Sequence, residues 1–189
     1  MTMPRTLAQA GLGCLAVLAL AVCAHAGDQP AAKPAEAPAA PPTMVAVADV
    51  APTQGSTVKG KVTFEAKKHG VHLIADFTGL TPGDHGFHIH EKGDCSAPDG
   101  SAAGAHFNPT AEPHGAPGTS KHHLGDLGNI EANKEGVAHL EVHFPHLSLS
   151  GPGAIVGLAV IVHASPDDMR TQPTGNSGAR QACGVIKAQ

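Results

Sequence analysis

Two histidines separated by one residue give this sequence its clearest chemical signal. His88 and His90 stand in residues 86–90, where Phe87 and Ile89 alternate with them. In a strand, side chains two positions apart share a face, so both imidazoles can bind one metal while the apolar pair enters the core. Histidine is the commonest metal-ligand side chain, and the chain holds 14 histidines against 12 lysines and arginines. The pattern therefore predicts a metal site, although an H-x-H pair alone is not specific.

Further candidate ligands follow in segments that are rich in glycine and proline. They are His106, His114, His123, Asp126, His163 and Asp167. Most of them fall in two long stretches, 91–128 and 164–182, which interrupt the short apolar runs of the rest of the chain. Loops of this length in a compact domain are usually functional or disordered. We therefore expect the two loops to carry the side chains that complete the site.

The elements that must position these side chains are predicted to be strands. Short runs of alternating apolar residues are separated by glycine, proline, asparagine and aspartate, and helical spacing is nowhere sustained. In residues 137–144, for example, Ala138, Leu140, Val142 and Phe144 fall on one face. The predicted strands are 45–50, 58–66, 71–77, 86–90, 129–132, 137–144, 159–163 and 183–187. Eight short strands indicate an all-β fold, either a barrel or a sandwich.

The N-terminus is typical of a secretory signal peptide that ends at residue 26. Arg5 precedes an uncharged apolar run at 11–22, and Ala-His-Ala at 24–26 matches a cleavage site. The run is too short to span a bilayer, which takes about 20 residues. A lipoprotein signal, with the lipid on Cys23, is the alternative, and it is the one route by which we expect membrane attachment. The residue before Cys23 is bulkier than such signals favour, so the soluble exported form is preferred.

The segment that follows the signal is predicted to be a tether. Residues 27–43 are rich in proline and alanine, which favours an extended, semi-rigid linker ahead of a domain at 44–189. After cleavage only Cys95 and Cys183 remain of the four cysteines. Export would place them in an oxidising compartment, where a disulfide is expected. Two buried free thiols are the alternative.

Composition excludes one class of function and describes the core. The formal net charge is −4, whereas a nucleic-acid-binding protein needs a basic face to neutralise phosphates. We therefore expect no nucleic-acid partner. The chain has no tryptophan, no tyrosine and 5 phenylalanines, so valine, leucine, isoleucine and alanine must supply most of the core.

Several separated motifs together resemble the copper/zinc superoxide dismutase family. They are GFHIHEKGDC, AHFNP, HGAP, HLGDLGN, VIVH and GNSGARQACGVI, in the family's order and at compatible spacings. The similarity covers about residues 44–189. It implies an eight-stranded Greek-key β-barrel or sandwich with long metal-binding and electrostatic loops. It also implies an enzyme whose redox-cycling copper, next to a structural zinc, converts superoxide to oxygen and hydrogen peroxide. With the export signal, this predicts a periplasmic protein that protects the cell envelope.

The resemblance implies a role for each candidate residue. The copper ligands would be His88, His90, His106 and His163. The zinc ligands would be His106, His114, His123 and Asp126. His106 would bridge the metals as an imidazolate and exchange a proton during turnover. Asp167 would link His88 to His114 from outside both metal sites, Arg180 would attract superoxide beside the copper, and Cys95 would pair with Cys183.

Other histidines and charged residues receive less specific predictions. His122 adjoins His123, but the H-x-G-D spacing favours His123 as the ligand, so we expect His122 to be exposed. His85 matches a structural histidine of the family. Surface positions are expected for His139, His143 and His146, while His69 and His72 have no assigned role. Lys92 and Lys121 are candidates for steering the substrate, but solvated surface lysines are the favoured interpretation. Thr174 is a candidate for lining the entrance to the site.

The chain also departs from the family's familiar eukaryotic members. The loop from His163 to Arg180 is shorter and holds no lysine, only Arg170 in a comparable place. How charge steers superoxide to the site is therefore open, and so is the choice between a monomer and a homodimer. A copper/zinc-buffering protein on the same fold is the rival function, but it would need neither His106 as a bridge nor Arg180. A zinc hydrolase is disfavoured because the four zinc ligands leave no position for water.

Overall fold

The computed structural model describes residues 43–189, and strands make up nearly all of its regular structure. The strands are β1 (Val45–Pro52), β2 (Lys59–Ala66), β3 (Val71–Thr78), β4 (Gly83–His90), β5 (Asp126–Ala132), β6 (Ala138–Phe144), β7 (Ala159–His163), β8 (Arg180–Val185) and β9 (Lys187–Ala188). One short 3-10 helix, Ser101–Ala103, lies in the long loop between β4 and β5. Within this part of the chain, no helix is long and apolar enough to cross a membrane.

The predictions for the N-terminus concern residues that precede this described range. The signal peptide at 1–26, the lipidation candidate Cys23 and the linker up to residue 42 lie outside the described residues.

Eight strands close into an antiparallel barrel. The pairing runs β2-β3-β6-β5-β4-β7-β8-β1, and β1 pairs with β2 to complete the ring. The chain passes from β3 to β4 and from β6 to β7 by connections that skip neighbouring strands, as in a Greek key. The two-residue β9 extends the pairing of the C-terminus with β1. The predicted all-β, eight-stranded fold is confirmed, with this short ninth strand added.

The predicted alternation of side chains places the core inside the barrel. Along β6, Ala138 is buried and Leu140, Val142 and Phe144 are partly buried, whereas the residues between them are exposed. Phe64, Phe77 and Phe87 are all fully buried, so three of the five phenylalanines join the aliphatic core. This packing fixes which residues of each strand face inward.

The clearest boundary differences occur where strands carry candidate site residues. β4 begins at Gly83, β5 at Asp126 and β8 at Arg180, each three residues before the predicted start. The added segments lack apolar alternation because charged, polar and glycine residues occupy them. Backbone pairing with neighbouring strands continues through them nevertheless. Two of the added residues, Asp126 and Arg180, are candidate functional residues.

The disulfide predicted between Cys95 and Cys183 is present. It joins the long loop after β4 to β8, with the two Cα atoms 5.8 Å apart. Both residues pack with a small buried cluster that includes Ala103 and Ile161. The alternative of two free thiols is therefore wrong, and the bridge anchors the ligand-bearing loop to the barrel wall.

Candidate metal centre

Four buried histidines converge near the ends of β4 and β7. His88 and His90 alternate on β4, and His163 is the last residue of the neighbouring β7. His106 belongs to the loop after β4, where an isolated bridge pairs it with His90. One ring nitrogen of each residue lies within 4.8 Å of those of the other three. The structure thus brings together all four residues that were predicted to bind copper, and we call them the copper group.

The nitrogens that converge in the copper group have no hydrogen-bond partner. They are Nδ1 of His88 and Nε2 of His90, His106 and His163. Carbonyls hold the opposite side of two rings. His90 Nδ1 donates to the Gly104 carbonyl at 2.9 Å, and His163 Nδ1 donates to that of Gly178 at 3.1 Å. An unpaired buried group costs about 1–3 kcal/mol, and one metal ion would satisfy all four. Four imidazole nitrogens suit Cu(II), so the donors fit copper.

Burial determines the protonation state of three histidines of the copper group. It lowers the pKa of His88 to about 4, of His90 to about 2 and of His163 to about 3. At His90 and His163, the nearby charge of Arg180 lowers the pKa further. At His88, a hydrogen bond with Asp167 opposes the effect of burial. All three rings are therefore neutral near pH 7, which is the state in which imidazole binds a metal.

A second set of four buried donors consists of Asp126 and three histidines around one of its carboxylate oxygens. Asp126 Oδ1 lies 2.8 Å from His106 Nδ1, 3.1 Å from His114 Nδ1 and 3.3 Å from His123 Nδ1. Two of these nitrogens, of His123 and His106, are 3.5 Å apart. The corners of a tetrahedron around an ion with bonds of about 2.0–2.2 Å lie roughly 3.3–3.6 Å apart. The two separations that involve His123 match those edges, and the other two are somewhat shorter. We call His106, His114, His123 and Asp126 the zinc group.

The carboxylate of the zinc group sets its electrostatics. Burial opposes ionisation of Asp126, but the hydrogen bond from His106 and the close contact with His114 outweigh it and hold the pKa of Asp126 far below its usual value. Burial also lowers the pKa of His114, yet its contact with Asp126 and its hydrogen bond to Asp167 prevail and raise it to about 9. Burial lowers the pKa of His123. Asp126 thus supplies a fixed negative charge within the zinc group, which attracts a cation.

One imidazole belongs to both groups. His106 directs Nδ1 toward Asp126 in the zinc group, while its Nε2 lies in the copper group and has no hydrogen-bond partner. Its ring centroid lies 4.0 Å from that of His88 and 5.5 Å from that of His123. A ring in this position can contact two metal ions at once, provided that both nitrogens lose their protons, which two cations make easier.

A second bridge between the groups runs through Asp167. Its Oδ2 lies 2.8 Å from His88 Nε2, and its Oδ1 lies 2.9 Å from His114 Nε2. Burial raises the pKa of Asp167, but hydrogen bonds with both rings outweigh it and lower the pKa well below normal. Gly175 packs directly against this carboxylate at φ +64°, and a side chain there would collide with it. An ionised Asp167 therefore fixes one ring of each group.

Arg180 lies beside the copper group and is held in place by backbone carbonyls. Its Nη1 donates to the Gly100 carbonyl and its Nη2 to that of Gly104, both at 2.6 Å. The Gly104 carbonyl also accepts from His90. The side chain is half-buried at a groove of about 370 Å³ that Asp99 also lines. Burial lowers the pKa of Arg180, but a guanidinium remains charged near neutral pH.

Comparison with known proteins identifies this arrangement. The sequence profile of copper/zinc superoxide dismutase (SODC) matches residues 58–186. The chain belongs to the copper/zinc superoxide dismutase family. Dismutation of superoxide is the function of this family, with copper and zinc as its metals. The predicted oxidoreductase class, substrate and cofactors are therefore confirmed for this chain.

Curated relatives extend along most of the chain. A Cu-Zn superoxide dismutase of Onchocerca volvulus is 42% identical over 149 residues, which cover 72% of this chain and 93% of the relative. One from the bacterium Caulobacter vibrioides is 47% identical over 135 residues, with 68% and 78% covered. An extracellular Cu-Zn superoxide dismutase of Brugia pahangi is 38% identical over 154 residues, or 76% of each chain.

The other predicted residues lie outside the two metal groups. His85 is buried, with Nδ1 2.8 Å from the His163 carbonyl and Nε2 2.8 Å from that of Thr81. His122 is half-buried, so the expectation of an exposed side chain is wrong: its Nδ1 donates to the His123 carbonyl, which turns the ring inward. Thr174 is half-buried, while Lys92, Lys121 and Arg170 are exposed. Their role in guiding the substrate stays a prediction.

Two side-chain amides that support the superoxide dismutase site were not predicted from the sequence. Asn129 donates to the Asp167 carbonyl at 3.0 Å and accepts from its N–H at 2.7 Å. Gln172 makes the same pair of contacts with the backbone of His114, both at 2.8 Å. Each amide thus clamps one end of the Asp167–His114 contact. Such bonds join positions far apart in sequence and leave no local spacing pattern.

Proposed function

We propose that this chain is an exported superoxide dismutase in which the copper group holds copper and the zinc group holds zinc. The observation that carries the assignment is the shared ring of His106, whose two nitrogens face different donor sets. A protein that only stored the metals would need no common ligand. The reaction converts two superoxide ions and two protons into oxygen and hydrogen peroxide.

The chain's own residues would manage the protons and the substrate anion. Bound copper would supply a redox centre that accepts an electron from one superoxide as Cu(II) and donates it to another as Cu(I). His106 would hold a proton at Nε2 and pass it to the reduced substrate, while Nδ1 remains directed at the zinc group. Because Asp126 and Asp167 fix the surrounding rings, His106 can exchange this proton without losing its position.

Arg180 would bind and orient the anion. Its guanidinium is pinned by two carbonyls beside the copper group, so its positive charge is preorganised at the groove. The protein as a whole carries a net negative charge, and attraction of superoxide must therefore come from a local positive potential. Arg170, exposed in the loop before β8, carries a further positive charge in the same loop sequence.

The zinc group would stabilise the site without reacting. Three imidazoles and one carboxylate would complete a tetrahedral shell around zinc. No position would be left for a hydrolytic water, which disfavours a zinc hydrolase. Asp126 Oδ2 also accepts from the N–H groups of Gly115 and His123, at 3.1 Å and 2.8 Å, so the loop and the ligand carboxylate support each other.

We infer export from the signal-like N-terminus and from the disulfide, which is typical of oxidising compartments. The periplasm is the compartment that we propose, with cleavage after residue 26. Lipid attachment through Cys23 is the alternative, and both a monomer and a homodimer are compatible with the sequence.

Metal analysis with an activity assay tests the proposed function. The protein from residue 27 onward is expected to bind one copper and one zinc and to dismute superoxide rapidly. Zinc binding alone, with no activity after reconstitution with copper, would overturn the proposal. Mass spectrometry of the mature chain in its natural host would locate the cleavage site and detect any lipid on Cys23.

Arg180→Ala, compared with Arg170→Ala, tests the anion-binding role. Each variant removes one positive charge, but only Arg180 is fixed beside the copper group. We expect Arg180→Ala to lower kcat/KM by about tenfold or more and to weaken its dependence on ionic strength, since local focusing contributes on that scale. The effect of Arg170→Ala should be smaller. An unchanged rate and salt dependence in Arg180→Ala would exclude the role.

A further inference from the structure

The histidines that take no part in the metal centre gather on one side of the barrel. Besides buried His85, six histidines of the described residues remain outside both metal groups. They are His69, His72, His122, His139, His143 and His146. His72 lies on β3, and His139 and His143 lie on β6, the strand that pairs with it. His69 lies two residues before β3, and His146 lies two residues after β6 and lines a groove with His122.

The register of β3 and β6 brings three possible metal ligands together. His72 pairs directly with His143, and Glu141 lies two residues before His143 on the same outward face. Directly opposed side chains of antiparallel strands have Cβ atoms about 4.5–5.5 Å apart, and diagonal neighbours are within reach of long side chains. His72 Nε2 already lies 2.9 Å from Glu141 Oε1. One ion could therefore contact all three side chains.

We propose that His72, Glu141 and His143 form a peripheral site for a zinc-like divalent cation on the outer face of the barrel. Two imidazoles and one carboxylate are a donor set that zinc commonly takes, with water in the fourth position. An ordinary ion pair accounts for the contact between His72 and Glu141, but it leaves His143 without a function. This site lies apart from the dismutase centre and does not depend on the function proposed for that centre.

The surroundings of the outer site favour a cation. Glu65 on β2 pairs with His72 from the side opposite to His143, and so a second carboxylate flanks the imidazole. Lys67 lies 2.6 Å from Glu65 and offsets part of that charge. Glu141 itself is exposed, and no lysine or arginine is paired with it among the ion pairs of residues 43–189. The site would thus hold its ion mainly through His72, His143 and Glu141.

Binding of an ion by His72, Glu141 and His143 requires the His143 ring to turn, whereas the donors of the copper and zinc groups already converge. Within residues 43–189, the sets in which three or more donors already converge are the copper and zinc groups. His143 is exposed, so its ring can turn toward His72 without loss of core packing. Ordering that ring costs side-chain entropy. We therefore expect weaker binding at the outer site than at the buried sites.

Zinc titration of the copper- and zinc-loaded enzyme tests the outer site. Isothermal titration calorimetry near neutral pH should detect one further zinc per chain in the parent protein. His72→Ala and His143→Ala should each abolish this binding event while dismutase activity stays unchanged. His139→Ala is the matched control, because His139 lies on the same face of β6 but pairs with Asp76 at 2.7 Å. It should retain the further zinc.

Three results would overturn the proposal. The parent could bind no zinc beyond the resident ions. The further zinc could persist in either His72→Ala or His143→Ala. Finally, it could be lost equally in His139→Ala, which would show diffuse binding by surface histidines rather than a site with defined ligands.

Discussion

The two halves of the metal centre are positioned in different ways. Three members of the copper group, His88, His90 and His163, project from paired strands β4 and β7, whose backbone ladder fixes their spacing. In the zinc group, by contrast, His114 and His123 lie in the long loop between β4 and β5. They are held by Asp126, Asp167 and other polar contacts. The barrel thus positions one half directly, whereas the other half depends on hydrogen bonds between loops.

This difference has an electrostatic consequence. The copper group contains no carboxylate, and burial keeps His88, His90 and His163 neutral, so protonation of these three residues opposes folding. The zinc group contains ionised Asp126, which together with Asp167 favours protonated His114. His114 of the zinc group should therefore respond to pH in the opposite direction from His88, His90 and His163 when the metals are absent.

The largest expected effect is the change with pH in the unfolding free energy of the metal-free protein. The pKa values of His88, His90 and His163 lie below the unfolded value of 6.5, so the unfolded chain binds more protons in acid. Unfolding free energy should fall as pH drops from 6.5 through about 4, by up to about 1.4 kcal/mol per pH unit for each histidine. The pKa of His114 is raised, so its contribution is present below pH 6.5 and is lost as pH rises through about 9.

Chemical denaturation at a series of pH values measures both effects. In the metal-free protein, His90→Asn should make the loss in acid shallower, because it removes one buried imidazole. His146→Ala is the control, since this exposed side chain changes its environment little on folding. A stability that stays constant between pH 6.5 and 4 would contradict the neutral, buried state assigned to the copper group.

The next largest effect is expected from Asp126→Asn, which should lower zinc binding and stability mainly by disrupting the zinc group. The substitution keeps the shape but removes the charge that the rings of His106 and His114 contact. Loss of one partner of a buried charged pair costs about 3–5 kcal/mol. We therefore expect the isolated protein to contain little zinc by mass spectrometry and the metal-free form to unfold more easily.

Glu131→Gln is the matched control for Asp126→Asn. Glu131 lies on the same strand, β5, but is exposed. Its substitution should leave zinc content and stability close to those of the parent. Equal zinc content in Asp126→Asn and the parent would mean that the three histidines bind zinc without the carboxylate, and the proposed division between the halves would be incorrect.

The same division explains how much of the site the sequence could predict. The H-x-H spacing of His88 and His90 follows from the two-residue period of a strand, and the end of an apolar run places His163. Barrel strands were predictable for the same reason. No local period relates His114 to His123, and their expected role depended on motifs that resemble a family.

Hydrogen bonds between distant loops were beyond prediction from sequence patterns. Asn129 and Gln172 act through bidentate contacts with the backbone of Asp167 and His114. The amide of Gln172 is 58 residues from its partner. Propensity and periodicity describe neighbours along the chain, so they carry no information about such pairs.

Substitutions of Gln172 test the difference between the copper and zinc groups through the smallest expected effect. Gln172→Met keeps the length of the side chain but removes both bonds to His114, whereas Gln172→Glu keeps an acceptor for the His114 N–H and loses the donor. Partners outside the metal shell change affinity by roughly 10–100-fold. Because His114 belongs only to the zinc group, zinc affinity should fall by about tenfold in Gln172→Met and less in Gln172→Glu, while copper affinity changes less. Competition with chelators measures both metals, and equal losses of copper and zinc would show that this clamp supports the centre as a whole.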